Sequence, residues 1–320
     1  MPKDFLNAAR GGDIGRRVIT VAIFCAACLI FSLSAPSFLT AENGRAIVLS
    51  SSALLIASIG ATFVILMGSI DFSVGAIATF CGMLVAGLAP QIGFSAVPAA
   101  CFAGLLFGVL NGLIYVYLRI PSILVTLGTA TTLSGAVLFI SDGQSVPIVD
   151  PAILAIAQDA WIYLVPNAVL IAAIIYLAAL AIGSRTVLGR MAFAIGGDEQ
   201  TATLVGVKVK AIKIQTFAFS GLLAGMAGAL LAARLGSGTA TMGNSMTLDS
   251  ITAAVVGGTA ITGGVGTVAG TLIGVVFITT LTNGMNIMAV QPYLQTIIQG
   301  VVILLAVLLN TKRGRAEDVR

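Results

Sequence analysis

Asp198 and Glu199 stand side by side in the stretch RMAFAIGGDEQTATLVGVKVKAIK, followed by Lys208, Lys210 and Lys213, between long runs with almost no charge. Two adjacent carboxylates suggest acid-base work, yet the chain contains no histidine, so neither a Ser-His-Asp nor a Cys-His nucleophile can form. No lysine follows a glycine, which excludes a G-x-x-x-x-G-K-[ST] phosphate loop. Cys25 and Cys28 have CxxC spacing, but the other two cysteines, Cys81 and Cys101, form no second pair; without histidine, no metal-binding set is complete. All four read as packing thiols. What remains for the acidic pair is a structural role. Asp198, after Gly197, caps a helix, and Glu199 in its first turn suits the helix dipole. Gly206 suits the C-terminal end. Between them Thr201, Ala202, Leu204 and Val205 make barely two turns, a length that is marginal alone in water. Such a helix either docks into a groove on a partner or is a solvated connector, and both readings stand at this point.

The elements that hold this island are apolar. With 58% hydrophobic and 9% charged residues, the chain reads as an all-α integral membrane protein, far from the roughly 25% charged residues of soluble domains. Runs near the ~20 residues needed to cross a bilayer core give ten expected spans: 18–39, 46–67, 72–89, 94–118, 122–140, 161–183, 212–233, 247–262, 266–286 and 293–310. The eighth is the weakest, because Asp249 and the glycines after it leave it short. With a cytoplasmic N-terminus, fourteen of the sixteen Lys and Arg fall inside, and only Arg45 and Arg234 outside. This positive-inside bias requires an even number of spans and explains the net charge of +4 without invoking nucleic acid. The outer 141–160 loop carries Asp142, Asp150 and Asp159 and no base. The organisation is a cytoplasmic segment 1–17, one membrane domain 18–310 with the inner island at about 184–211, and a cytoplasmic tail 311–320. The start resembles a secretory signal, but its apolar run is long and leads into Pro36, so it reads as a span.

Glycines recur at helical spacing, as Gly104, Gly108, Gly112 and as Gly266, Gly270, Gly274, stripes that let helices approach closely in lipid. Residues 106–128 and 272–300 share a glycine, an Asn-Gly and a proline opening the next span, a loose echo whose copies run in opposite directions; inverted repeats are a transporter signature. Few charges fall within spans, so no proton or sodium relay is visible, and the chain must take its energy from elsewhere. Asp71, in GSIDFSVG, reads as a cap for a helix starting at Ser73, with contact to a transported solute as its rival role. Gly257, Gly258, Gly263 and Gly264, in GGTAITGGVG, read as a tight inner turn or gate. Asn111, Thr126, Thr129, Asn283, Asn286 and Gln295 are the in-span groups able to border a polar path; they serve equally well to bond helix to helix.

The island LGRMAFAIGGDEQTATLVGVKVKAIK closely resembles the cytoplasmic coupling segment of ribose-type sugar permeases of ABC importers. TFVILMGSIDFSVGAI (62–77), PSILVTLGT (121–129), LDSITAAVVGGTAITGGVGTVAGTLIGVVF (248–277) and VVILLAVLLN fit the same family, so the resemblance covers about residues 40–311. It implies the ten-span ABC importer permease fold and, in Gly197 to Gly206, the coupling helix. It also implies partners: a second permease, identical or related, two ABC ATPase subunits or one fused tandem ATPase, and a periplasmic sugar-binding protein. ATP and Mg belong to the partner ATPase, and this chain binds no cofactor of its own. A branched-chain amino acid permease is a close alternative; a self-sufficient carrier or facilitative channel is a more distant one.

Overall fold

The computed structural model describes residues 22, 24–162 and 165–310; the expected terminal segments 1–17 and 311–320 lie outside the described residues. Helix dominates. α1 is Phe24–Ser34, α2 Ala41–Leu66, α3 Val74–Ile92, α4 Ala96–Tyr117 and α5 Ser122–Ser141. After them come α6 (Pro151–Gln158), α7 (Asn167–Arg185), α8 (Val187–Gly197), α9 (Glu199–Leu204) and α10 (Val209–Leu235). α11 (Met246–Val256), α12 (Val268–Ile287) and α13 (Pro292–Asn310) complete the order. Among the described residues, six helical stretches are long and apolar enough to cross a membrane. One of them, Val74–Tyr117, has 44 residues and contains both α3 and α4, divided at the 3-10 turn Gly93–Ser95. The secondary structure is not purely helical: β1 (Val146–Pro147) pairs antiparallel with β2 (Ser237–Gly238).

The chain forms two compact units, Val48–Val275 and Met1–Ile47 with Val276–Arg320. In the first, α10 packs against both α3 and α4. The Gly104, Gly108 and Gly112 stripe lies on that seam: a Cβ at Gly104 would run into the Gly221 carbonyl, one at Gly108 into the Phe217 carbonyl, and one at Gly112 against the Ile214 Cα. On its other side Gly228 abuts the Ala78 carbonyl of α3. Small residues let the backbones touch, which substitutes dispersion contact for the hydrophobic drive that lipid removes. Gly270 and Gly274 do the same against α11, meeting the Gly257 and Ala253 carbonyls. Within the second unit, Phe31, Ala35, Phe38 and Met285 form a small apolar cluster.

The span expected at 247–262 is corrected to α11, which has 11 residues and so measures roughly 16 Å, too short for a core about 30 Å thick. Before it, the chain descends along α3 without helix. Gly238 lies against Met83 and Ala86, and the Gly243 amide donates to the Thr79 hydroxyl at 3.1 Å; in the first turn of α11 the Thr247 hydroxyl accepts from the Gly75 amide at 2.9 Å. Irregular backbone is tolerated at such a place because protein groups take up its N–H and C=O bonds.

Two structured pieces lie where only loops are expected. α6 occupies the 141–160 segment; the Asp150 side chain accepts from the Ala152 amide at 2.9 Å and Pro151 opens the helix, the favoured N-terminal arrangement. α8 precedes the short helix of the island, with Thr186 as its capping residue.

Candidate functional site

α9 is defined at both ends by local bonds. Oδ1 of Asp198 accepts from the amides of Gln200 at 2.9 Å and Thr201 at 3.1 Å, while Oδ2 accepts from the Thr201 hydroxyl at 2.7 Å. Those bonds, the Thr201 hydroxyl first, hold the Asp198 carboxyl below the usual carboxylate range, since each favours the charged form. At the other end the Val207 amide donates to the Ala202 carbonyl and the Gly206 amide to the Thr203 carbonyl, both at 3.0 Å, with Gly206 at φ 86°. This is a Schellman closure, in which glycine supplies the left-handed residue at no steric cost.

The helix is seated on one side only. Ala202 is buried in a cluster with Ala192 and Ile195 of α8, Val64 and Met67 at the end of α2, and Ile212 and Phe217 of α10. Lys213 Nζ donates to both carboxylate oxygens of Glu199, at 2.7 and 2.8 Å, and lies 4.7 Å from the Tyr115 ring centre. Leu204 and Val205 face away, 86% and 74% exposed. A Cβ on Gly197 would meet nothing within 4 Å, whereas one on Gly196 would run into the Leu66 carbonyl.

The glycine turn meets the same end of the bundle. The Gly264 amide donates to the Leu66 carbonyl at 2.9 Å, and Gly263 approaches Gly68 and Gly196 so closely that a Cβ would lie 2.6 Å from the Gly68 nitrogen. Gly258, Gly263 and Gly264 have positive φ, and Gly257 closes α11.

Asp71 is 2% exposed and sits beyond the end of α2, where residues 68–73 turn back to start α3. Its Oδ1 accepts from the amide and hydroxyl of Ser73, and its Oδ2 from the Ser220 hydroxyl of α10 at 2.9 Å. The contact is thus with the capping residue Ser73 and not with the first turn of α3. Asn111 extends the network: its Nδ2 donates to the Ser73 hydroxyl at 2.9 Å and its Oδ1 accepts from the Thr129 hydroxyl at 2.6 Å. Thr126 accepts from the Phe72 amide at 3.0 Å. Asp71, Asn111, Thr126 and Thr129 are therefore brought together. Elsewhere, Asn283 Nδ2 donates to Asn43 Oδ1 and Gln295 Nε2 to Asn286 Oδ1, both at 2.9 Å.

Sequence reasoning missed Lys213 as the partner of Glu199, Tyr115 beneath it, and the whole of α8. The last had a signal: Leu188, Met191, Ala192 and Ile195 follow the i, i+3, i+4, i+7 pattern of a helix face, and all four pack in the cluster under α9.

Bundled apolar helices, six stretches of which among the described residues are long and apolar enough to span a bilayer, are those of a multi-pass membrane protein. A family model described as "Branched-chain amino acid transport system / permease component" matches residues 45–307, and the chain belongs to that permease family. The chain is 37% identical to the probable ABC transporter permease protein YphD of Escherichia coli (strain K12), over 93% of this chain and 89% of that protein. It is 36% identical to the ribose import permease protein RbsC of Bacillus subtilis (strain 168), over 89% and 90%. Against the autoinducer 2 import system permease protein LsrC of Photorhabdus luminescens the identity is 31%, over 92% and 89%. No solved structure matches the chain significantly.

Proposed function

We propose that the chain is the membrane permease subunit of an ATP-driven importer that carries a monosaccharide, a pentose, hexose or related polyol, across the inner membrane. One observation supports it most: α9 is fastened on its inner side by Ala202 and Lys213, yet offers Leu204 and Val205 to solvent. A solvated connector has no need of two exposed aliphatic side chains on a doubly capped helix; a docking helix does. In this reading Gly197, Asp198, Glu199, Thr201, Ala202, Leu204, Val205 and Gly206 form the coupling element. The partners are a second permease, two ABC ATPases or one fused tandem ATPase, and a periplasmic sugar-binding protein, with ATP and Mg on the ATPases. Closure of the ATPase pair pushes α9, and its seat passes the movement to the ends of α2 and α10 and to the 257–266 turn, the gate of an alternating-access cycle.

The topology that accompanies this reading has ten crossings with both termini cytoplasmic, α11 and the irregular chain before it counting as the eighth. An inverted repeat is supported by the turns of its two copies, where Arg119 (φ 57°) precedes Pro121 and Ala289 (φ 53°) precedes Pro292. Asn111, Thr126 and Thr129 border the path from within a network whose polar atoms bond one another, a role of positioning. Asn283, Asn286 and Gln295 are the groups proposed to meet sugar hydroxyls. Ribose import relatives favour a sugar; the family description favours the alternative cargo, a branched-chain amino acid.

The test is co-purification with the cognate ATPase of wild type and of Leu204→Arg/Val205→Arg, together with uptake of labelled ribose, glucose and leucine in vesicles. Loss of the ATPase from a correctly inserted variant supports coupling by α9. Transport by the chain alone, without an ATPase, sinks the proposal in favour of a self-sufficient carrier.

A further inference from the structure

Beside α9 lies a cavity of about 320 Å³ lined by Arg119 from the α4–α5 turn, Lys210 and Lys213 from the first turns of α10, and Glu199. Three cations face one carboxylate there. Lys213 is already bound to Glu199, but no described carboxylate lies within ion-pair distance of Arg119 or Lys210, so the cavity carries uncompensated positive charge. The N-terminus of α10 adds to it: Val209 lines the cavity, and no side chain caps this 27-residue helix, leaving the positive end of its dipole to attract an anion. Arg119 is held in the left-handed region at φ 57°, a conformation unfavourable for a side-chain-bearing residue. Apolar groups also line the cavity, among them Ile120 and Pro121, and Leu118, Ile120 and Leu124 are exposed at the adjoining helix ends.

We propose that this cavity is a phosphate site, filled by the headgroup of an anionic phospholipid whose acyl chains lie along Leu118, Ile120 and Leu124. Arg119 and Lys210 meet the phosphate, and Lys213, tied to Glu199, forms the wall towards α9. Basic pockets at the membrane face take anionic headgroups in this way. A soluble phosphate has the same chemistry, but would leave the exposed Leu118, Ile120 and Leu124 without a function. The proposal stands whatever cargo the permease carries.

Native mass spectrometry of the full chain, mixed with phosphatidylglycerol or with phosphatidylcholine of the same acyl length, tests it. Wild type and Arg185→Gln, which removes an exposed cation outside the cavity, should retain phosphatidylglycerol preferentially. Arg119→Gln/Lys210→Gln should lower that preference by about tenfold, and the charge-keeping Arg119→Lys/Lys210→Arg should restore it. Should the double variant fail to fold, Lys210→Gln alone decides, since that exposed residue leaves the bundle intact. Millimolar inorganic phosphate distinguishes the sources: no displacement assigns the site to lipid, and displacement assigns it to a soluble phosphate. Equal retention of both lipids by wild type with no effect of phosphate overturns the proposal, as does an undiminished preference in the glutamine variants.

Discussion

Gly196 and Gly197 are neighbours in sequence and opposites in surroundings. A methyl group on Gly196 would run into the Leu66 carbonyl, and one on Gly197 would meet nothing within 4 Å. Overpacking a tight site costs about 1–3 kcal/mol, so Gly196→Ala should lower the melting temperature and separate the island from the end of α2. Gly197→Ala should melt like wild type, and equal melting of the two variants would refute the close approach. A second residue-scale expectation concerns the buried carboxylate. Ser220 is the hydroxyl donor to Oδ2 of Asp71, and Ser220→Ala removes it without adding bulk. Leaving a buried acceptor unmatched costs about 1–3 kcal/mol; Ser220→Thr, which keeps the hydroxyl, should recover part of the loss in a thermal unfolding assay.

Among the elements, α9 and the α4–α10 seam show what the sequence makes readable. The bounds of α9 are legible because capping is local: Asp198 and Gly206 act on residues two or three positions away. Its fastening is not, because Glu199 meets a lysine fourteen residues on, and that distance depends on how α10 returns to the bundle. The stripe Gly104, Gly108, Gly112 announces a close helix contact but not the identity of the partner, which long-range packing alone decides. α11 shows the converse. The glycines after it and Asp249 foretell a weak span, while the irregular stretch before it has no periodicity to betray it, being held to another helix by the bond from the Gly243 amide to Thr79. The seam carries its own prediction. Gly108→Val should prevent α4 from closing on α10 and yield aggregated protein in size-exclusion chromatography. Gly128→Ala on α5, where nothing lies within 4 Å, should elute as wild type.

At the scale of the whole molecule, the Val48–Val275 unit gathers its turns at two ends. The end of α2, the α8–α9 island and the 257–266 turn meet at one, through Gly68, Gly196 and Gly263. At the other, Arg234 donates to the Ser50 hydroxyl at 2.9 Å, Gln158 donates to the Ala233 carbonyl at 3.1 Å, and β1 pairs with β2. In the proposed topology, which rests on the Lys and Arg bias, the first group lies on the inner side and the second on the outer. That reading predicts sidedness for positions that carry no charge. In a variant with all four cysteines replaced by serine, Gln144→Cys should react with a membrane-impermeant thiol reagent in right-side-out vesicles. Thr203→Cys and Thr262→Cys should react only in inside-out vesicles. Thr262 is the decisive position, since it lies beyond α11: labelling from the outer face would mean that the eighth crossing is absent and that the bonds holding Gly264 to Leu66 do not form in the membrane. Labelling from the inner face requires the short helix and the irregular chain before it to complete one passage together.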